Sequence, residues 1–249
     1  MKVKIIYFSG TGNTKAVADL YSQLLKRKGH DVSCSSIEEN PVVDDCDLIV
    51  IGGPIYAGNM PDELLNWVRK NIPKTDTSKA IVYSTSAVLM NANGVKSVCK
   101  KLKKKGYQII DQLILQMPRN FYVDKYDPTP LDEQEIQFEN MINQVETSVR
   151  NLNLEVNLEM NESTIGIDFL ADIFRIMAKR MGKQFKINDG CTNCGLCEKN
   201  CPKSNINLSN KEYLNKCILC TRCIHNCPVN AITYKGKTIE QYKVLKVNL

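Results

Sequence analysis

The sequence predicts a doubly wound, five-stranded parallel α/β sheet over residues 1–153 and a small α+β domain over residues 185–249. Residues 154–184 are predicted to join them. In the first part, five apolar runs alternate with helical patterns, the order typical of a doubly wound sheet. In the second part, the pattern C-x-x-C-x-x-C-x-x-x-C-P occurs twice. A chain of 249 residues is long enough for one full domain and one small one.

The first domain begins with the pattern of a strand, a glycine-containing loop and a helix. Lys2 to Phe8 is almost continuously apolar, as in a strand buried on both faces of a sheet. The next residues, 9–14, read Ser-Gly-Thr-Gly-Asn-Thr. Helical spacing up to Gly29 is shown by Val17, Leu20, Tyr21, Leu24 and Leu25. Such a loop directs its N–H groups and hydroxyls at one point. That point lies at the positive end of the helix dipole, which suits a phosphate.

This loop differs from two common nucleotide-binding motifs. Lys15 stands where the G-x-G-x-x-G motif needs its third glycine, and the G-K-[ST] of a Walker A loop is absent from it. A dinucleotide and a nucleoside triphosphate are therefore disfavoured. A plain turn remains an alternative, because Gly, Ser, Thr and Asn are also turn residues.

Four more strands and three helices complete the predicted first domain. The strands are predicted over Asp31–Ile37, Asp47–Ile51, Ala80–Ala87 and Tyr107–Met117. The helices are predicted after Pro61, over Gly94–Lys105 and over Phe138–Leu152. Ligands of such a sheet bind beyond the carboxyl ends of its strands.

The joining segment and the small domain carry weaker patterns. Residues 151–163 are rich in Asn, Glu and Ser and indicate a linker. A helix bridging the domains, or alternatively lying on a membrane surface, is predicted from Leu170, Ile173, Phe174, Met177 and Met181. Two strand pairs are predicted, Phe185–Ile187 with Ile232–Tyr234 and Ile206–Leu208 with Glu212–Leu214. Metal loss should unfold this domain, because it has few large apolar residues.

The two cysteine motifs predict two 4Fe-4S clusters. They lie 26 positions apart, and Ile206 and Ile232 repeat at the same offset, which indicates a duplicated unit. Three thiolates spaced by two residues can reach three corners of a cube from one loop. Zinc would leave the third cysteine and the Cys-Pro of each copy without a role, and disulfides need an oxidising compartment. The eight cysteines are Cys191, Cys194, Cys197, Cys201, Cys217, Cys220, Cys223 and Cys227.

Both halves resemble known families. Ser9-x-Thr11-Gly12-x-Thr14 resembles the FMN-phosphate loop of flavodoxins, and residues 52–59, Gly-Gly-Pro-Ile-Tyr-Ala-Gly-Asn, resemble their second flavin loop. The C-terminal cysteines resemble those of bacterial two-cluster ferredoxins, so that the whole chain resembles the flavodoxin-ferredoxin fusion proteins. In the two-cluster ferredoxins, the cysteine before proline ligates the other cluster. The resemblance therefore implies one cluster on Cys191, Cys194, Cys197 and Cys227, and a second on Cys217, Cys220, Cys223 and Cys201.

The flavodoxin resemblance also implies a set of FMN-binding residues. The phosphate would be held by Ser9, Thr11, Gly12, Asn13 and Thr14. The second loop would supply Pro54, Ile55, Tyr56, Ala57, Gly58 and Asn59, with Tyr56 against the flavin ring and the Gly58–Asn59 peptide near flavin N5. The third loop would begin with Ser86 and Ala87. Residues 88–93 lack the aromatic and acidic residues common there, which implies a more open ring face.

These expectations favour an electron carrier with ferredoxin-type donors or acceptors, a role suited to anaerobic metabolism. The alternative is an FMN-dependent oxidoreductase for a quinone, porphyrinogen or similar molecule, with the clusters as its internal wire. Such a substrate would contact Arg119, Asn120, Phe121 or Tyr122. A flavodoxin-like interaction module without FMN is a third reading, and the intact phosphate loop disfavours it. No acid-base catalytic residue is predicted, because His30 and His225 are far apart in the sequence.

Composition bounds the partners and the compartment. The formal charge is +6, but two clusters would bring about −4 and a flavin phosphate about −2, so nucleic acid is not an expected partner. The lysines between residues 96 and 105 are expected to form a solvated face. We expect a cytoplasmic protein without a transmembrane segment, since we find no signal peptide or long apolar run. Cys34, Cys46 and Cys99 are expected to be small core residues. The sequence leaves the oligomeric state open.

Overall fold

A computed structural model describes residues 1–56, 58–88, 93–120, 127–153 and 167–245 of the protein. A five-stranded, all-parallel sheet forms its first part. Its strands are β1 (Lys2–Tyr7), β2 (Asp31–Ser36), β3 (Leu48–Pro54), β4 (Lys79–Ser86) and β5 (Gln108–Gln116). Their spatial order is β2-β1-β3-β4-β5, which is the flavodoxin-like order of a doubly wound sheet. The predicted fold class is confirmed.

Helices cover both faces of this sheet. They are α1 (Asn13–Arg27), α2 (Asp62–Asn71), α3 (Asn93–Lys103) and α4 (Leu131–Arg150). On one face, side chains of α1 and α4 such as Leu20 and Met141 join a buried core with Val50 of β3. On the other face, α2 and α3 bury Leu64 and Val98 against the sheet. The near-continuous apolar strands are therefore explained by burial on both sides.

The predicted core residues of the first domain occupy buried or half-buried positions. Trp67 of α2 is buried in the core between α2, α3 and the sheet. Cys46 and Cys99 are buried, and Cys34 is half-buried against the core between α1, α4 and the sheet. None of the eleven cysteines forms a disulfide.

The order of the strands determines where a ligand-binding crevice lies. Because β1 lies between β2 and β3, the connections that follow β1 and β3 leave the sheet in opposite directions. Their loops, residues 8–12 and 55–61, therefore frame a crevice at the carboxyl ends of the strands. One turn of 3₁₀ helix at Ile37–Glu39 follows β2 at the same end and carries Glu38.

The second part of the chain is a small α+β unit. It contains α5 (Ile167–Gly182), β6 (Phe185–Ile187), α6 (Leu196–Lys199), β7 (Ile206–Asn207), β8 (Glu212–Tyr213), α7 (Arg222–His225), β9 (Ile232–Tyr234) and β10 (Lys237–Thr238). Both predicted strand pairs are confirmed, since β6 is antiparallel to β9 and β7 is antiparallel to β8. Strand β10, which the sequence pattern does not predict, extends the first pair to three strands.

The backbone of this unit shows the duplication. Helices α6 and α7 each follow a residue in the left-handed region, Gly195 at φ 77° and Thr221 at φ 54°. A β-branched residue rarely adopts a positive φ, so Thr221 is strained where its counterpart is a glycine. Asn193 and Leu219 form a second pair of equivalent left-handed positions, at φ 55° and 56°. The repeat therefore extends from the cysteines to the loop geometry.

Helix α5 contacts the small unit with only part of its apolar stripe. Phe174, Ala178 and Met181 pack against the core around Phe185 and Ile232. Ile173 and Met177, which belong to the predicted stripe, are exposed. The buried line instead follows spacings of four and three residues through Ala178. No helix in the described ranges has the length and apolar character needed to cross a membrane.

Candidate cofactor sites

A cavity of about 410 Å³ lies at the carboxyl ends of the parallel strands. Nine of the predicted FMN-binding residues line it: Ser9, Thr11, Asn13, Thr14, Pro54, Ile55, Tyr56, Ser86 and Ala87. Gly12, Gly58 and Asn59 do not line it, and Ala57 lies outside the described residues. The structure therefore brings together most of the three loops that the sequence analysis selected.

The loop after β1 presents backbone donors to this cavity. Ser9 Oγ accepts hydrogen bonds from the N–H groups of Gly12 and Lys15, at 3.1 and 3.3 Å. Within the described residues, the N–H groups of Gly10, Thr11, Asn13 and Thr14 have no acceptor. Two of these belong to the first turn of α1, where the helix leaves its amides unpaired and its dipole favours an anion. Four unpaired donors in residues that line one cavity fit the needs of a phosphate group.

The side chains of the same loop are held by other parts of the protein. Thr14 Oγ1 lies 2.7 Å from Thr85 Oγ1. Asn13 Nδ2 donates to the carbonyl of Pro118 at 3.0 Å, and Asn13 Oδ1 accepts from the hydroxyl of Tyr242. Asn120 Nδ2 donates to Thr11 Oγ1. The Asn13 side chain thus fixes the loop, and only its backbone amide is available to a ligand.

The second loop forms a tight turn. Tyr56 N–H donates to the carbonyl of Asn59 at 2.8 Å, with Gly58 at φ 90° between them. Asn59 Oδ1 accepts from the N–H of Met60 at 2.8 Å. Burial raises the pKa of Tyr56 well above its ordinary value. Tyr56 is therefore a neutral phenol at the cavity wall.

Val88, Arg119 and Asn120 also lie at the wall of this cavity. Arg119 and Asn120 are in the position expected for substrate contacts. Phe121, Tyr122 and residues 89–92 of the third loop lie outside the described residues.

The small unit supplies part of the same cavity. Phe174, Leu219 and Cys220 line it together with the flavin loops. A Cβ atom on Gly10 would lie 2.6 Å from Tyr56 Oη and 2.9 Å from the carbonyl oxygen of Cys220. Only glycine permits this approach, since no Cβ is found that close to another atom. The cysteine loop therefore packs directly against the phosphate loop.

The eight motif cysteines lie in two separate groups. One small cavity is lined by Cys191, Cys194, Cys197 and Cys227. Another is lined by Cys201, Cys217, Cys220 and Cys223. Each group contains three cysteines of one motif and the Cys-Pro cysteine of the other, as the ferredoxin resemblance implies. In the described parts of the chain, no three His, Cys, Asp or Glu side chains are placed to hold a single metal ion.

Backbone amides donate to the sulfur atoms in a repeated pattern. Cys191 and Cys217 accept from the amides two residues further on, each at 3.4 Å. Cys201 and Cys227 accept from the amides four residues further on, each at 3.3 Å. Tyr213 Oη also donates to Cys223 Sγ at 3.4 Å. Hydrogen bonds of this kind stabilise thiolate sulfur in iron-sulfur sites.

Burial disfavours ionisation of these thiols in the absence of iron. It raises the pKa of Cys217 to about 11 and that of Cys220 to about 12. A thiolate ligand must lose its proton, and the iron charge makes that loss favourable. Filling these sites therefore releases protons.

Residues of the second cysteine motif connect the small unit to the flavin loops. Arg222 donates to the carbonyl oxygens of Ser9 and Gly10 and pairs with Glu38. Thr221 Oγ1 lies 3.2 Å from the carbonyl oxygen of Asn120. Arg222 was not among the predicted site residues. Its one signal is that the equivalent position of the first motif is Leu196, so the two copies differ there in charge.

His225 belongs to the same contact. It is buried. Tyr242 N–H donates to Nδ1 at 3.0 Å, which leaves Nε2 to carry the proton and donate to the carbonyl of Asn120 at 2.7 Å. Burial lowers the pKa of His225, which is consistent with this neutral ring.

A larger cavity, of about 500 Å³, lies beside the first one. Tyr56 and Phe174 line both cavities. Met60, Cys217 and Ile218 contribute further to its wall. This second cavity therefore extends from the second flavin loop to a motif cysteine, without any residue of the phosphate loop.

Comparisons with known proteins match both parts of the chain. The family described as "Flavodoxin domain" matches residues 4–128, which is half of the chain, and the family described as "4Fe-4S binding domain" matches residues 213–233. The second match includes Cys217, Cys220, Cys223 and Cys227. No curated protein shows a significant match.

Solved flavodoxins are among the similar structures. Oxidised flavodoxin 1 from Bacillus cereus is 22% identical over 61% of this chain and 100% of its own, with a TM-score of 0.46. A flavodoxin from Streptococcus pneumonia TIGR4 is 18% identical over 59% and 99%, with a TM-score of 0.41. Rubredoxin oxygen:oxidoreductase from Desulfovibrio gigas is 13% identical over 63% of this chain and 37% of its own, with a TM-score of 0.42. The fold assignment rests on the sheet order of the chain itself.

Proposed function

Because the chain belongs to the flavodoxin domain family and carries a 4Fe-4S binding segment, we propose that it is an electron carrier with FMN and two 4Fe-4S clusters. In general terms it is an electron-transfer flavo-iron-sulfur protein. Bound FMN supplies one-electron or two-electron exchange, and each cubane supplies one-electron exchange. A single chain that holds both can therefore serve partners of either kind.

The proposal gives the residues of the first cavity distinct tasks. The amides of Gly10, Thr11, Asn13 and Thr14 bind the phosphate, since they are the unpaired donors of that loop. Tyr56 lies against the ring and shields it from water on that side. Pro54, Ile55, Ser86 and Ala87 complete the wall. Gly58 and Asn59 support Tyr56 through the turn.

One observation carries the proposal: Cys220 lines the same cavity as Tyr56 and the phosphate loop. A motif cysteine thus forms part of the wall of the flavin site. Direct packing of this kind favours transfer within one chain over transfer between chains. The cysteine grouping supports one cluster on Cys191, Cys194, Cys197 and Cys227, and the other on Cys201, Cys217, Cys220 and Cys223.

The 4Fe-4S binding family covers only the second motif. The support for the first cluster is structural. The first motif repeats the left-handed positions and the amide-to-sulfur hydrogen bonds of the second. Residues 185–249 then form a ferredoxin domain, residues 1–153 a flavodoxin domain, and 154–184 the connection. The reducing cytoplasm suits a chain whose eleven cysteines are all unpaired.

Anaerobic purification followed by assays for iron, acid-labile sulfide and flavin tests the proposal. We expect about eight iron atoms per chain, four for each cubane, and one FMN. Zinc in place of iron, or a protein that binds no FMN, would refute it. Stopped-flow mixing with a reduced low-potential ferredoxin should then show rapid electron exchange.

A second candidate function is favoured by the cavity of about 500 Å³. A small molecule there would contact Tyr56 on one side and Cys217 on the other. The chain would then be an oxidoreductase for a quinone, a porphyrinogen or a similar molecule. Multiple turnovers with one such substrate would establish this function, and electron exchange with ferredoxins alone would support the carrier.

A further inference from the structure

Arg222 has a contact for every hydrogen on its guanidinium group. Nε donates to the carbonyl of Gly10 at 3.1 Å, and Nη2 donates to the carbonyl of Ser9 at 2.6 Å. Nη1 and Nη2 also donate to the two carboxylate oxygens of Glu38, at 2.8 and 2.7 Å. The fifth hydrogen goes from Nη1 to the carbonyl of Asn200 at 2.9 Å. An arginine has five such donors, so none remains for a ligand.

The two loop carbonyls that Arg222 holds determine where two loop amides point. In a trans peptide unit, the C=O and N–H bonds point in opposite directions. The Ser9 carbonyl shares its peptide unit with the Gly10 N–H, and the Gly10 carbonyl shares its unit with the Thr11 N–H. Arg222 draws both carbonyls to one side of the loop and thereby turns both amides to the other. Gly10 and Thr11 line the flavin cavity, and their amides have no acceptor in the described structure.

A packed and rigid setting supports this arrangement. The Arg222 side chain is only 13% exposed, and its guanidinium lies 5.7 Å from the centre of the Phe8 ring. Glu38, in the turn after β2, accepts two parallel hydrogen bonds and fixes the plane of the guanidinium. The loop also has two glycines, which leave its peptide units free to rotate when nothing holds them.

We propose that Arg222 is a positioning residue for the flavin phosphate, provided by the ferredoxin domain although it does not contact the phosphate itself. The inference rests on the proposed function. Holding the peptide units in the binding orientation before the ligand arrives removes an ordering cost from binding. Because Arg222 lies between Cys220 and Cys223, the affinity for FMN then depends on the fold of the second cysteine loop.

The competing explanation is that Arg222 only joins the two domains. Lys203 offers a matched comparison. It also belongs to the ferredoxin domain, and its Nζ forms an ion pair with Glu63 of α2 at 2.6 Å. Lys203 does not line the flavin cavity. Loss of this ion pair weakens domain contact without changing the phosphate loop.

The test compares FMN with riboflavin, which lacks the phosphate. Iron-loaded protein is freed of flavin, and both dissociation constants are measured anaerobically by flavin fluorescence for wild type, Arg222→Met, Arg222→Lys and Lys203→Met. For Arg222→Met we expect the Kd for FMN to rise about tenfold or more, which is about 1.4 kcal/mol, with less than a threefold rise for riboflavin. Arg222→Lys should lie between this variant and wild type, because one ammonium cannot hold both carbonyls and Glu38. Lys203→Met should change neither constant by more than about twofold.

Each outcome separates the inference from the function on which it rests. Wild-type protein that binds no FMN refutes both. FMN binding that is unchanged in both Arg222 variants, or weakened equally for FMN and riboflavin, refutes the positioning role and leaves the proposed function standing. Iron content is measured for every variant. If Arg222→Met assembles without iron, Arg222→Lys decides, and an unchanged ratio of the two constants in that variant overturns the inference.

Discussion

The hydroxyl of Tyr242 donates a hydrogen bond to the side-chain oxygen of Asn13, although 229 positions separate the two residues. Both residues are buried. The segment around Tyr242 therefore closes over the start of α1. Val244 extends this contact, because its Cγ2 would lie 2.5 Å from a Cβ on Gly12. Gly12, with φ at 113°, thus serves the packing of the C-terminal segment rather than the lining of the cavity.

Replacement of Tyr242 by Phe tests this closure. Asn13 Oδ1 would remain buried without its donor, which costs about 1–3 kcal/mol. We expect the free energy of unfolding to fall by that amount, measured by urea denaturation of the anaerobic holoprotein. Tyr107→Phe is the control, since Tyr107 is also a buried residue but its hydroxyl has no hydrogen-bond partner among the described residues. Equal stability of Tyr242→Phe and wild type would contradict the role of the hydrogen bond.

Thr14→Val tests the phosphate loop. The substitution keeps the shape of the side chain but removes the hydroxyl that lies 2.7 Å from Thr85 Oγ1. Unpairing Thr85 disturbs the first turn of α1, so we expect the Kd for FMN to rise about fivefold to tenfold, or about 1–1.4 kcal/mol.

Thr14→Ser keeps the hydroxyl and is the matched control. It should bind FMN within about twofold of wild type. Wild-type flavin content in Thr14→Val would mean that the hydroxyl pair has no part in the phosphate site.

Single cysteine replacements test whether each cluster is held by three cysteines of one motif and the Cys-Pro cysteine of the other. Cys201→Ala should remove the cluster held by the second motif, and Cys227→Ala the cluster held by the first. Each variant should keep about four of about eight iron atoms. Electron paramagnetic resonance of the reduced protein distinguishes the remaining clusters. Cys227→Ala should give the same spectrum as Cys194→Ala, and Cys201→Ala the same as Cys220→Ala.

Cys46→Ala is the control for these replacements, because Cys46 is a buried thiol of the parallel-sheet domain. It should keep all the iron. If Cys201→Ala instead matched Cys194→Ala, each motif would hold its own cluster and the grouping of the two cavities would be misleading.

Secondary-structure elements could be predicted from the sequence where their patterns lie within a few neighbouring residues. Lys2–Tyr7 and the helix that follows are specified by apolar spacing within a few residues, and both appear at nearly the predicted bounds. The loop after β3 lies at the edge of the sheet as expected, because a turn that follows a buried parallel strand emerges there. The resemblance to two-cluster ferredoxins implied the same two groups of cysteines that line the two small cavities.

Contacts between distant segments could not be predicted in the same way. Arg222 and Tyr242 reach the phosphate loop only after both domains have folded, and neither belongs to a periodic pattern. The stripe on α5 shows the same limit. Ile173 and Met177 have the correct helical spacing but are exposed, because the shape of the ferredoxin domain, which no spacing encodes, selects Ala178 instead.

The buried thiol of Cys99 predicts a loss of stability at alkaline pH. Cys99 is part of α3, and its burial in the core between that helix and the sheet raises its pKa from an ordinary 9.0 to about 12. The folded state therefore keeps its proton where the unfolded chain loses it. The stabilisation is fully present below pH 9 and disappears as the pH rises towards 12, at about 1.4 kcal/mol per pH unit for one thiol.

In Cys99→Ala, the free energy of unfolding between pH 9 and pH 11 should fall less steeply than in wild type by that amount, measured by urea denaturation. Cys34 and Cys46, with pKa values raised to about 11, and buried tyrosines such as Tyr107, with a pKa raised to about 12, contribute a slope that is the same in both proteins. Identical slopes for the variant and wild type would show that Cys99 ionises as easily in the folded protein as in the unfolded chain.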